Sequence, residues 1–149
     1  MSLKEGKEGK MVRLTPDELR LMYPALLEHA DIECQEGWAD LIRIACDALS
    51  NERFKGVQIF QIKEKFGQLR INLAPGVGLS LTDKYIDELW SVLESVERLS
   101  RYFCEFCGDV RGVTTASIPT GAPYGWIKTL CTKCRGKVDE ERASRVGTH

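Results

Sequence analysis

The chain has 149 residues, of which 43% are hydrophobic and 29% charged, with a formal net charge of −1. That is enough chain for one ordinary domain or one domain with a small appendage, in the composition of a soluble globular protein. The charge balance excludes a uniformly basic nucleic-acid binder and an acidic tail protein, and no apolar run approaches the roughly 20 residues of a membrane span.

Residues 1–12 read as a flexible tail. They open with MSLKEGKEGK, charged and glycine-rich, without the apolar stretch of a secretory signal, so a cytoplasmic setting is expected. An α+β unit is predicted over 13–101. Thr15-Pro16-Asp17-Glu18 is a helix start, with Thr15 as N-cap, Pro16 in the first turn and Glu18 closing a capping box. Leu19, Met22, Tyr23, Leu26 and Leu27 carry the helical spacing, which Pro24 interrupts. Glu36-Gly37-Trp38 opens a second helix whose buried stripe is Trp38, Leu41, Ile42, Ala45 and Leu49. A β-hairpin is predicted over 57–73, with Gly67 supplying a positive φ at its turn and Phe66 anchoring that turn on the core. A long helix over 83–101 follows, capped by Thr82 or Asp83, with Ile86, Leu89, Trp90, Leu93, Val96 and Leu99 as its apolar face.

A metal-binding module is predicted over 102–145. Of six cysteines, four form two C-x-x-C pairs, Cys104/Cys107 and Cys131/Cys134, with 23 residues between them. Zn²⁺ takes four thiolates in a tetrahedron at about 2.3 Å; one C-x-x-C turn supplies one side of the ion and the second closes the other. Iron with the same ligands is the competing ion. Four protein thiolates leave no open position, which makes the site structural and not catalytic. Short strands at Val113–Ala116 and Trp126–Leu130 are joined by Pro119–Gly125, and Cys131 and Cys134 open a polar helix running to about Ala143. Knuckle, hairpin and helix come in the order of a treble clef, with a zinc ribbon as the alternative. The fold class is therefore α+β: helices around a β-hairpin, then a C-terminal four-cysteine module of treble-clef or zinc-ribbon type.

Cys34 and Cys46 are read as core thiols. The pair His29 and Cys34 is the one nucleophile–base combination worth noting, and Glu33, Glu36 and Asp40 are an acidic group at a helix start. No histidine lies between Asp31 and Thr148, so a His-Asn-His nuclease is not expected and no catalytic residue is assigned. Charge is split: residues 1–97 carry net −5 and residues 98–149 net +4. Lys128, Lys133, Arg135, Lys137, Arg142 and Trp126 are accordingly candidate contacts to nucleic acid or to a partner. Arg111, Lys128, Lys133 and Arg135 are also placed to offset a negative thiolate cluster.

Gly37-Trp38, IKEKFGQLRI at Ile62–Ile71, CEFCG at 104–108 and GWIKTLCTKC at 125–134 together resemble a group of small bacterial and phage proteins. The resemblance covers roughly residues 36–134 and implies a bacterial or phage cytosolic setting and a metal held by the four cysteines; it brings no activity. The expected function is that of a zinc-stabilised, non-catalytic binding protein, an adaptor or inhibitor acting on a bacterial protein partner. A nucleic-acid-binding zinc module is the alternative, and no membrane association is expected.

Overall fold

The computed structural model describes residues 13–76, 81–118 and 126–146, side chains from 142 onward excepted. The predicted tail at 1–12 and the linker at 119–125 lie outside the described residues. The Thr15 hydroxyl accepts the Glu18 N–H at 3.2 Å while Glu18 accepts the Thr15 N–H at 3.4 Å, so the capping box starts α1 (Pro16–Met22). Pro24 cannot continue that helix. The chain restarts as α2 (Pro24–Leu27), with Tyr23 at φ −130° and ψ 61° between them. The Tyr23 hydroxyl donates to Asp47.

A short strand follows that the sequence reading did not anticipate, β1 (Asp31–Glu33). Its three residues hold one apolar side chain between two acids, too short a stretch for alternation to register. A 3₁₀ turn at Glu36–Trp38 leads into α3 (Ala39–Leu49), whose predicted stripe is buried throughout: Trp38, Leu41, Ile42, Ala45 and Leu49 are each at most 2% exposed. The hairpin forms as β2 (Ile59–Lys65) and β3 (Gln68–Leu73). Its two turn residues, Phe66 and Gly67, have φ of 55° and 77°, the pair of left-handed residues that a two-residue I′ connection needs. β1 joins β2 in parallel, with α3 in the connection, so the sheet order is β1-β2-β3.

α4 (Asp83–Leu99) closes the outer edge of β3. The Leu69 N–H donates to Ser100 Oγ at 2.9 Å and the Ile71 N–H to Glu97 Oε2 at 2.9 Å. These side chains occupy donors that an open edge would offer to another strand. Leu89, Leu93 and Val96 are the buried face of α4. Trp90 and Leu99, predicted on the same face, are 53% and 43% exposed. At 3.6 residues per turn they fall roughly 80–100° to either side of the buried line. The main core lies between α3, α4 and the inner face of the sheet, with Trp38 and Phe54 as its largest side chains.

After a 3₁₀ turn at Ser100–Tyr102 the chain builds a second unit: a turn bearing Cys104 and Cys107, the antiparallel ribbon β4 (Thr114–Ile118) and β5 (Trp126–Leu130), and α5 (Thr132–Val146). The helix runs three residues beyond the expected end at Ala143. Among the described residues no helix is long and apolar enough to cross a membrane.

Candidate metal centre

Each cysteine pair is positioned by its own backbone. In the first turn, Cys104 N–H donates to Asp109 O at 2.9 Å and Gly108 N–H to Cys104 O at 2.8 Å. Gly108, at φ 77°, turns the chain so that Asp109 N–H reaches Cys107 Sγ at 3.4 Å. In the second, Cys131 immediately precedes α5 and Cys134 lies in its first turn, with Cys134 N–H donating to Cys131 Sγ at 3.4 Å.

The ribbon brings the two turns together. All four sulfurs lie within 4.8 Å of one another, and Cys107 Sγ stands 3.7 Å from Cys131 Sγ. Tetrahedral zinc with bonds of about 2.3 Å would space its sulfurs by about 3.8 Å, so donor chemistry and dimensions both suit a metal ion. All four are free thiols; Cys104, Cys131 and Cys134 are buried and Cys107 is exposed. Burial pushes the Cys104 thiol up, but the backbone N–H groups of Cys131, Cys107 and Phe106 outweigh it and hold it below its ordinary value. Cys134 is pushed up, first by burial and then by the neighbouring sulfurs.

The module is fastened to the core along a polar seam. Gly37 lies against the first cysteine turn: its N–H donates to Glu105 O at 2.8 Å, and a Cβ there would stand 2.2 Å from Cys104 O and 2.3 Å from Glu105 O. The Trp38 indole N–H donates to Phe103 O at 2.9 Å. Glu105 is 1% exposed; it accepts the Gln35 N–H at 3.2 Å and pairs with Lys128 at 3.1 Å, and Lys128 also reaches Glu64 at 3.5 Å. Burial raises the Glu105 carboxyl, opposed by Lys128. Arg13 spans the seam from the other side, donating to Asp40 and to Cys107 O, both at 2.8 Å. At the hairpin tip Thr129 Oγ1 donates to Gly67 O at 2.5 Å and shares a hydrogen bond with Thr115 Oγ1 at 2.7 Å.

Several expected contacts change role. Lys128, with its side chain 13% exposed, is held between two carboxylates, and Arg135 donates to Thr114 O at 2.7 Å and Lys128 O at 3.0 Å. Lys128 is thus committed inside the protein, whereas Arg135 is half-buried, bonds two backbone carbonyls and has no carboxylate partner among the described residues. Lys133 and Lys137 are exposed on α5, Trp126 is 68% exposed, and the Arg142 side chain lies outside the described residues. Phe66 does not anchor its turn: it is 65% exposed, because Gly67 is the turn residue pressed against Thr115, Ile127 and Thr129. Arg111 is engaged with Asp109 at 3.2 Å. Asp40, from the expected acidic group, is taken by Arg13.

Cys46 is buried and Cys34 half-buried. Burial, reinforced by Asp47 for Cys46 and by Glu105 for Cys34, pushes both up to about 12, as expected of core thiols. His29 is exposed beside Glu28 at 3.8 Å. Glu105, Arg13 and Gly37 were not singled out by the sequence as seam residues. A glutamate between two cysteines carries no local mark of burial. No family model matches the sequence, no curated protein matches it, and no solved structure matches the chain.

Proposed function

We propose that the protein is a zinc-stapled binding protein without chemistry of its own, an adaptor or inhibitor of a bacterial protein partner in the cytoplasm. A phage or mobile-element origin is the setting its sequence resemblance implies. The observation that carries this reading is the convergence of four protein sulfurs on one position. A four-thiolate site of that kind has no coordination place left for water or substrate, so the ion's role is to hold the chain. The order of cysteine turn, two-stranded ribbon and helix supports a treble clef over a three-stranded ribbon.

The surface supports binding. Phe66 at the hairpin turn, Tyr102 in the 3₁₀ turn and Trp126 at the start of β5 are 65%, 67% and 68% exposed. Phe66 holds φ 55° at a turn position that ordinarily selects asparagine, aspartate or glycine. A large ring kept there despite the conformational cost and left facing water suits a contact residue. The nucleic-acid reading retains Lys133, Lys137, Arg135 and Trp126 but loses Lys128 to its two carboxylate partners.

Native mass spectrometry is expected to find one zinc ion per chain, and capture from bacterial lysate a stoichiometric protein lost on the double change Phe66→Ser and Trp126→Ser. A folded chain without metal, or no stoichiometric partner, overturns the proposal. Gel shifts over a salt series test the alternative, since phosphate contacts weaken steeply with salt.

A further inference from the structure

We infer that the outer edge of β4 is a docking site for an extended peptide segment of a partner protein, which adds as a third strand to the β4–β5 ribbon and carries acidic residues at its flanks. This rests on the binding-protein reading and names the chemistry of what is bound.

The backbone fixes which groups are on offer. Glu105 N–H donates to Thr129 O at 2.9 Å, so the Thr129 carbonyl points away from β4. Thr129 is opposite Thr115 in the ribbon, which makes that pair one of the non-hydrogen-bonded pairs of an antiparallel ladder. The close approach of their hydroxyls, 2.7 Å, agrees with it. Alternation gives Ser117 and Ile127 the same character. Thr115 and Ser117 therefore direct both N–H and C=O outward, and among the described residues no strand pairs with that edge of β4.

Between Thr114 and Ile118 the edge carries no charge and no proline; its protection is its five-residue length and Pro119, which follows directly in the sequence. Natural edge strands carry lysines, prolines or inward charges that repel a second strand. β4 reads Thr-Thr-Ala-Ser-Ile, its first four residues are exposed, and no charged side chain occurs between Arg111 and Lys128. The contrast within the molecule is sharp, because the outer edge of β3 is occupied by Ser100 and Glu97. The chemistry that matches alternating free N–H and C=O groups on a small, uncharged, β-branched strand is another extended backbone.

Size and charge select the occupant. Five edge residues offer far less than the roughly 1,200 Å² of total buried surface expected of a stable interface between folded chains, whereas a short strand draws its affinity from main-chain hydrogen bonds. Residues 98–149 carry net +4, which a zinc ion held by four thiolates reduces to +2. Exposed Arg101 lies in the 3₁₀ turn that touches β4, and Lys133 is exposed on α5. Acidic flanks on the peptide complement that setting.

The test is selection of nine-residue peptides from a random display library on the zinc-loaded full chain. Enriched peptides are expected to be rich in valine, isoleucine and threonine with aspartate or glutamate near their ends. Ser117→Pro removes one outward N–H without touching the β4–β5 ladder, and is expected to weaken the selected peptides at least tenfold, while Ser117→Ala leaves them unchanged. Hydrogen exchange at the Thr115 and Ser117 amides is expected to slow when peptide is added. Should Ser117→Pro lose metal or fold, that exchange measurement on the unmodified chain decides. No enrichment, peptides indifferent to the proline without exchange protection at Thr115 and Ser117, or a concentration-dependent dimer abolished by Ser117→Pro overturns the inference; the dimer would assign the edge to a second copy. Peptide binding that fails in a chain still holding its zinc leaves the metal-stapled reading standing, and a chain that folds without metal defeats that reading alone.

Discussion

Two apolar clusters among the described residues differ in kind. The cluster under the three-stranded sheet joins twenty buried residues and includes Trp38, Phe54 and a set of leucines and isoleucines from every surrounding element. Fully burying one such side chain contributes about 1.5–3 kcal/mol, so this region has what a core needs. Among the described residues, the cluster in the C-terminal module has four buried members, and three of them are cysteines: Cys104, Cys131 and Cys134 with Leu130, bordered by Val113, Ile118 and Val138. Apolar burial on that scale does not order a ribbon and a fifteen-residue helix. Two other features can supply its stability: four cysteines arranged to hold a metal ion and the polar seam to the core.

Removing the ion gives the largest expected effect. Structural zinc contributes about 10–16 kcal/mol of apparent folding free energy in small modules, comparable with the entire stability of an ordinary domain, about 5–15 kcal/mol. Chelation, or Cys131→Ser, is expected to abolish hydrogen-exchange protection in β4, β5 and α5 while the amides of α3 stay protected. Tryptophan emission should shift to the red at the same time, because the buried Trp38 indole N–H bonds Phe103 O, next to the first cysteine turn. Retained protection in the ribbon after complete chelation would erase the distinction between the two regions.

The seam comes next. Gly37→Ala places a methyl group against the backbone oxygens of Cys104 and Glu105, neither of which is the movable end of a flexible side chain. A cost of about 3 kcal/mol is expected, with weaker metal binding, because relief of the clash displaces a ligand-bearing turn. Urea denaturation and competition with a chelator measure the two. A change under about 1 kcal/mol with unchanged metal affinity would show that the seam is loose. Trp38→Phe keeps an aromatic ring but orphans Phe103 O, for about 1–3 kcal/mol, and is expected to leave metal affinity closer to that of the parent chain.

How far the sequence reached follows the same division. Wherever one local rule governs an element, it was legible: the capping box at Thr15, the break at Pro24, the α3 stripe, the glycine at the hairpin turn and the two C-x-x-C pairs. The rest depends on residues far apart in the chain. β1 is three residues long and is a strand only because β2 lies beside it. Trp90 and Leu99 keep helical spacing but sit off the line that α4 turns to the sheet. Lys128 looks like surface charge until Glu64 and Glu105, from two other segments, close around it. Spacing named the sulfurs but could not show that Gly37 must be bare for the cysteine turn to dock.

The smallest expected effect separates the two regions by the sign of their pH dependence. Glu97 is 17% exposed at the β3 edge, where burial raises its carboxyl above the ordinary 4.5, opposed by the Ile71 N–H and by Arg70. The folded state therefore holds that proton more tightly than the unfolded state does. The stability this gives is full below pH 4.5 and is lost as pH rises through the raised folded value. Glu97→Gln keeps an acceptor for Ile71 and removes the titration, so parent stability measured against the variant is expected to fall across that window and then level off. The metal module has the opposite sign, because thiols bind zinc only after losing their protons and its hold strengthens as pH rises. Urea titrations of the α4–β3 edge and chelator competition at the sulfurs, run over the same pH series, should diverge. A parent advantage over Glu97→Gln that grows with pH would mean that Arg70 and the Ile71 N–H outweigh burial, and the edge would then follow the module.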